Sequence, residues 1–419
     1  MLDEEAQTIR DRARAFVRNE VAPDYLRRMD RDEIRYPREL YQSYADHGLL
    51  GLRFPKRYGG AEMSWVAECA VMEEIGCLGM AAGCAFVMPS IVGEALITFG
   101  TEEQKQRYLA PMLQGRLVAA EALTEPRGGS DFFGAGSRAL DMGDHFLVRG
   151  MKRFIVGAEG ADFFLAYVRT NLEEDAAPHQ RLSALLIDRG PGVEVKYLYG
   201  LMGARGGGTG RVVFRDVEVP KTNLVGPLHG GALVFNTMMI PERLCSAAPC
   251  PGGMRAALEV AMGYADRRKA FGRPIRKLQA VSFMIARAQT LLDASLAMIH
   301  QAARAADAGA PSVRRIVSET KKFVTEAAWD VVNVAMQVTG GIGYTDVYPI
   351  ERAVRDTRLA QIWTGTNEIM SAMIQHDLFH EFRAERGRYR DVEKDAMHDD
   401  PSEKIFDDDD MWKVYEERG

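Results

Sequence analysis

HFLVRGMKRFIV, residues 145–156, is a short run in which apolar and polar positions alternate and β-branched and aromatic side chains are frequent. That pattern is the mark of a half-buried strand. On either side stand runs of the same texture: DFFLAYVRT (162–170), SALLIDR (183–189), VEVKYLY (193–199) and RVVFRDVEVP (211–220), separated by Gly and Asp clusters. No long helical segment intervenes, so the spacing predicts a compact antiparallel barrel or sandwich over residues 119–226 rather than a βαβ series.

Outward from this β-domain the period changes to three and four. TIRDRARAFVRNEVAP (8–23), YPRELYQSYADHGLLGL (36–52) and TEEQKQRYLAPMLQG (101–115) predict an α-helical domain over residues 1–118, punctuated by Pro23, Pro37, Pro55 and Pro111. RAALEVAMGYADRRKAF (255–271), KLQAVSFMIARAQTLLDASLAMIHQAARAADAG (277–309) and SVRRIVSETKKFVTEAAWDVVNVAMQVTGG (312–341) have wide apolar faces and predict a helix bundle over residues 227–379. The fold class is α+β in an α-β-α order. Residues 380–419, with DDDD at 407–410, read as an acidic tail in which Trp412 and Tyr415 offer a small anchoring contact.

The chain has 419 residues, 47% hydrophobic and 27% charged, as expected of a folded multi-domain protein. Its net charge of −6 comes from the tail: residues 381–419 hold 14 acidic against 8 basic side chains, leaving 45 of each sign in residues 1–380. An electrically balanced body offers no basic stripe, which argues against nucleic acid as a partner. Five cysteines (Cys69, Cys77, Cys84, Cys245 and Cys250) form no CxxC pair, and the N-terminal stretch lacks the basic-then-apolar order of a secretory signal. A reducing, cytoplasmic setting is expected, with no metal site. The uncharged run CLGMAAGCAFVMPSIVG (77–93) lies at the lower edge of membrane-spanning length, but it is rich in Gly and Ala and flanked by Glu73, Glu74 and Glu94. A buried core helix, not a membrane span, is the expectation.

Four stretches carry chemistry: LTEPRGGSD (123–131), RRKAFGRPIRKLQA (267–280), MQVTGGIGYTDVYPIERAVRDTRL (336–359) and WTGTNEI (363–369). In this order and at these separations they resemble the acyl-CoA dehydrogenase family, and the resemblance covers about residues 3–378. It implies an N-terminal helical domain, a middle β-barrel or sandwich and a C-terminal helix bundle, with FAD as cofactor. An acyl-CoA substrate, an electron-transferring flavoprotein as electron acceptor and a homotetramer or dimer are also implied. By the resemblance, FAD is held by Leu123, Thr124, Gly129, Ser130, Phe154, Val156, Arg268, Phe271, Leu278, Gln337, Gly340, Gly341, Thr366 and Glu368. The thioester is held by Ser130, Arg243, Trp363 and Gly365.

The residue chemistry agrees. Hydroxyls at Thr124 and Ser130 beside small glycines suit a turn against a planar heterocycle, although such a Gly-rich stretch is also an ordinary β-turn. Arg268 and Phe271, three apart on one helical face or its end, pair a fixed cation with an aromatic plane. Gln337, Gly340 and Gly341 would extend that site toward a neighbouring subunit, or cap a helix.

The resemblance also exposes three departures. Arg127 stands where relatives have a small or amide residue, and Val156 has no hydroxyl where relatives donate a hydrogen bond to flavin N5. At 364, most relatives carry the glutamate that removes the α-proton; this chain has Thr364, whose backbone N–H can still polarise the thioester carbonyl. A branch with isovaleryl-type and long-chain members puts its glutamate one residue before an arginine on another helix, and MMIPERL (238–244) makes Glu242 the candidate base, followed by Arg243. Against this, Pro241 reads as a first-turn proline, where a neighbouring glutamate would simply favour the helix dipole. The acyl group is not legible; Phe86–Ser90 and Met238–Ile240 are the candidate pocket walls. Ile240 replaces an acid that contacts CoA in some relatives. The expected activity is α,β-dehydrogenation of an acyl-CoA; an enoyl-CoA reductase, a flavin oxidase of a small non-CoA substrate, or a non-catalytic flavoprotein are the alternatives.

Overall fold

The computed structural model describes residues 2–385 and 387–398. Helices α1 (Glu4–Asn19), α2 (Pro23–Asp30), α3 (Arg38–Asp46), α4 (Trp65–Ile75) and α5 (Met80–Phe99) open the chain. A short helical run follows, from α6 (Glu102–Gln104) through a π-helical turn at Lys105–Leu109 into α7 (Ala110–Leu113). The starts are set by side chains that accept otherwise orphaned backbone N–H groups: Asp3 for α1, Ser64 for α4, and a Thr101–Gln104 capping box for α6. Helix α4 is buried on every side, so its three glutamates each have cationic partners: Glu68 meets Arg53, while Glu73 and Glu74 meet Arg10 and Arg255. Helix α5 is long and apolar enough to cross a membrane, yet 83% of its most apolar window is buried inside the protein, the placement of a core helix.

The middle segment forms β1 (Ala119–Ala122), β2 (Arg138–Asp141), β3 (His145–Ile155), β4 (Phe163–Arg169), β5 (Leu182–Asp188), β6 (Val193–Leu198), β7 (Gly210–Pro220) and β8 (Leu224–Val225). They make one eight-stranded sheet ordered β6-β7-β3-β2-β4-β5-β8, with β1 alongside β4. It is not purely antiparallel as expected: β1 runs parallel to β4, and β2 touches β4 in parallel. Alternation fixes only the faces, and strand direction is set by the connections. The two faces of β1 and β4 serve different cores. Ala120, Ala122, Phe164 and Ala166 pack within the sheet's own cluster, whereas Ala119, Phe163, Leu165 and Tyr167 face the large cluster shared with the helices.

Helices α8 (Gly231–Ala247) and α9 (Cys250–Arg267) follow, then a two-stranded hairpin, β9 (Lys269–Ala270) and β10 (Arg273–Pro274). Helices α10 (Gln279–Asp307), α11 (Val313–Thr339), α12 (Ile350–Ala360) and α13 (Asn367–Ala384) complete the described helices. Pro241 is not a first-turn proline. It lies inside α8, ten residues beyond its start, so Glu242 sits mid-helix, beyond the reach of the N-terminal dipole. The apolar run before Pro241 supports the helix despite the hydrogen bond that proline removes.

The chain divides into two compact units, Met1–Ile374 and Gln375–Gly419. In the second, helical residues reach Ala384 and a 3-10 turn occupies Val392–Asp395. The DDDD run, Trp412 and Tyr415 lie outside the described residues.

Candidate active site

Glu242 points inward from α8 and is only 6% exposed. Its Oε1 is buried without a hydrogen-bond partner, as are Oε1 of Glu121 and the hydroxyl of Tyr167. These three groups adjoin closely enough for each to perturb the others' protonation, although no formed hydrogen bond joins them. Burial, then the neighbouring Glu121, lifts the Glu242 carboxyl well above the usual carboxylate range, against the pull of Arg243. Burial also pushes Glu121 up to about 7. Such a pair retains a proton near neutrality.

One helical turn beyond Glu242, the Ser246 hydroxyl meets the Thr364 hydroxyl at 2.5 Å. Thr364 is held in the left-handed region at φ 51°, uncommon for a β-branched residue, and is followed by Gly365 at φ 88°. The turn is clamped by Lys321, a wholly buried lysine of α11 whose Nζ donates to the Gly365 carbonyl (2.8 Å) and to Asn367 Oδ1 (2.9 Å). The Thr364 N–H has no acceptor among the described residues, so it is free to donate to a ligand carbonyl. Arg243, 3% exposed, donates to the Ser318 hydroxyl of α11 at 2.7 Å and thus ties two helices of the bundle together.

Ser246 and Trp363 also border an apolar cavity of about 150 Å³ that runs between α5, α9 and α12. Its α5 wall is Met80, Gly83, Cys84 and Val87, a single helical face. Of the pocket walls expected from the sequence, Phe86–Ser90 contribute only Val87 to this cavity, Phe86 packing on Tyr44 instead, and Met238–Ile240 line none of it. Four of the five cysteines border the cavity as small apolar residues. Burial pushes their thiols up, Cys77 to about 11 and Cys250 to about 12, so they are poor nucleophiles.

The remaining candidate residues fall into two sets. Leu123, Val156 and Trp363 fringe the same large apolar cluster, and the Arg153 N–H bonds the Thr124 carbonyl at 2.9 Å, bringing the Thr124 turn beside Phe154. The turn itself is tight, Glu125 and Gly128 exchanging backbone hydrogen bonds with Arg127 exposed at its corner. Gly129 and Ser130 are exposed beyond it. Thr366 and Glu368 flank the first residue of α13.

The second set lies elsewhere on the helical bundle. Arg268 and Phe271 do not share a helical face: Arg268 follows the end of α9, and Phe271, at φ 52° and 90% exposed, is the tip of the β9–β10 hairpin. Leu278 precedes α10, while Gln337, Gly340 and Gly341 are exposed at the end of α11. Side chains added at Gly340 or Gly341 would meet nothing within 4 Å, so their small size serves no contact within this chain.

Comparison with known proteins decides what this geometry belongs to. Residues 3–116, 120–217 and 229–379 match, respectively, the descriptions acyl-CoA dehydrogenase N-terminal, middle and C-terminal domain. The chain belongs to the acyl-CoA dehydrogenase family. It is 33% identical to the 3-(aryl)acrylate reductase of Clostridium sporogenes, over 90% of this chain and 98% of that one. It is 32% identical to the probable acyl-CoA dehydrogenase YngJ of Bacillus subtilis, with the same coverage. A solved chain described with the electron transferring flavoprotein of Acidaminococcus fermentans superimposes with a TM-score of 0.86 at 32% identity, over 90% of this chain and 98% of that one.

Acyl-CoA dehydrogenases are generally FAD-binding, and the residues present fit that cofactor. The Thr124 and Ser130 hydroxyls make no hydrogen bond among the described residues, Trp363 Nε1 is buried without a partner, and Phe154 holds a half-exposed ring at φ 58° beside Thr124. Unspent donors and a half-exposed aromatic ring are groups that a flavin can use. Sequence reasoning missed Glu121, Tyr167, Ser246 and Lys321. Glu121 left one signal, an acid within the otherwise apolar run LVAAEAL; Lys321 left none, since it looks like its solvated neighbour Lys322.

Proposed function

We propose that the protein catalyses α,β-dehydrogenation of an acyl-CoA thioester, with Glu242 as the base. What carries this reading is a buried carboxyl, its Oε1 without a hydrogen-bond partner, one helical turn from Ser246, which meets Thr364 and borders the cavity. FAD, when bound, supplies the acceptor for the β-hydride. Glu242 takes the α-proton, the C–H electron pair becomes the new double bond, and the Thr364 N–H holds the thioester oxygen as negative charge develops there. Val156 leaves flavin N5 without a side-chain hydroxyl from that position.

The cavity of about 150 Å³ has the size of a known site for a single benzene ring, which supports a branched or ring-bearing acyl group over a plain short chain. Exposed Phe271, Tyr344 and Val347, all on the C-terminal bundle, support assembly as a homotetramer or dimer in which a neighbour completes the cofactor site. The likeness to a chain described with an electron transferring flavoprotein supports such a flavoprotein as electron partner.

Enoyl-CoA reduction is the second reading, because the proton retained by Glu121 and Glu242 is what a donor to the α-carbon needs. Anaerobic mixing of the FAD-loaded protein with saturated thioesters should bleach the flavin absorbance. Reoxidation of the reduced protein by unsaturated thioesters, without bleaching by saturated ones, would establish reduction instead.

A further inference from the structure

We propose that Glu121 is a positioning residue for the reaction: its carboxyl shares one proton with Glu242, so that the α-proton is exchanged with a two-carboxyl unit rather than with a lone glutamate. The inference rests on Glu242 being the proton-handling group.

The sheet register explains why Glu121 is there. In the parallel β1–β4 pairing Glu121 stands opposite Leu165, and Tyr167 is two residues further along β4 on the same face. That is the face turned to the helical core, where Ala119, Phe163 and Leu165 supply apolar side chains. A carboxyl in that row needs a partner. Among the described residues no ion pair to Glu121 is formed: Lys152, the buried lysine of β3, is spent on Glu125 and on the Leu123 and Tyr167 carbonyls, and an Arg153 terminal nitrogen donates to the Pro126 carbonyl.

The groups facing Glu242 are Glu121 from β1, Tyr167 from β4, and Arg243 and Cys245 from its own helix. Were both carboxyls ionised, Glu121 Oε1 and Glu242 Oε1 would be buried acceptors side by side with no proton between them. One shared proton turns one carboxyl into a donor to the other.

The proton balance follows. Dehydrogenation starts from the pair holding one proton: as that proton passes from Glu242 to Glu121, the Glu242 carboxylate is freed, the α C–H bond breaks and its proton bonds to Glu242, and the electron pair forms the double bond, the β-hydride being what FAD, when bound, would accept. The pair ends with two protons and later releases one to water. Reduction starts from the doubly protonated pair.

The test is the pH profile of flavin reduction by a saturated thioester in FAD-loaded wild type, Glu121→Gln and Glu121→Met. Removing the second carboxyl should move the acid limb down by about one pH unit or more. A purely structural Glu121 would change thermal stability and leave that limb in place. Infrared difference spectra of the cofactor-free protein give a second readout. At neutral pH the C=O stretch of a buried protonated carboxyl should appear in wild type and change frequency or lose intensity in both Glu121→Gln and Glu242→Gln, because a proton shared between two carboxyls becomes one held by a single acid. An unmoved acid limb, or no such band in wild type, overturns the proposal. If Glu242→Gln retains activity, the assignment of the base has failed; if it is inactive while Glu121→Gln keeps the wild-type limb, only the shared proton has failed.

Discussion

The hydroxyls of Ser246 and Thr364 meet at 2.5 Å, joining the turn after α12 to the helix that carries Glu242 one turn earlier. The two candidate positions for the base, 242 and 364, are therefore linked through Ser246, one turn along α8. A glutamate at 364 can reach that helix, because Thr364 already points at α8. Glu242→Gln should lower flavin reduction by about 10²–10⁴-fold while leaving FAD bound. Glu242→Gln combined with Thr364→Glu should recover part of that loss in stopped-flow measurements. No recovery, in a double variant that still binds FAD, would place the two positions in separate spaces.

Lys321 holds the strained turn by donating to Gly365 and Asn367. Lys321→Met removes the donor to the Gly365 carbonyl and one of the two donors to Asn367 Oδ1, and should cost about 1–3 kcal/mol in denaturant unfolding. The turn that presents the Thr364 N–H would also loosen, so kcat should fall along with stability. An unchanged midpoint would mean that water replaces the ammonium group.

Stability should depend on pH through Glu121 and Glu242. An unfolded glutamate titrates near 4.5, whereas folding raises Glu121 to about 7 and Glu242 well above its usual range. The folded chain thus keeps protons that the unfolded chain releases above about pH 4.5. The resulting stabilisation is complete below that pH and is lost as pH rises through the folded values. Melting temperature should fall between about pH 5 and 8, and Glu121→Gln should flatten the decline; parallel curves for the two proteins would contradict it.

The cavity wall at Gly83 sets what fits. A Cβ there would meet only the Pro249 side chain, at 4.0 Å, so the backbone accepts a side chain and Gly83→Leu directs one into the space. Ring-bearing acyl thioesters should lose about 10-fold or more in kcat/KM, with butyryl-CoA nearly unaffected. Equal losses on both would show that the acyl group lies elsewhere.

Phe271 combines high exposure with a backbone conformation that favours glycine. Phe271→Gly relieves that strain within the subunit but removes the exposed ring. The subunit should melt no lower, while FAD affinity falls by about 10-fold and sedimentation shifts to smaller species. Unaltered FAD retention and size would remove the hairpin from the interface.

By itself the sequence determined the α-β-α order, through runs whose period switches from about 3.6 to two and back, and it marked Glu242 through a local motif and the threonine at 364. These signals are local: a helix face or a turn is written within a dozen consecutive residues. Only the tertiary structure decided that Pro241 lies inside α8, that Lys321 is buried rather than solvated, and that Glu121, 121 positions before Glu242, shares its pocket. Contacts between distant segments depend on strand register and helix packing, which no short window encodes, and they set whether a buried carboxyl is charged or holds its proton.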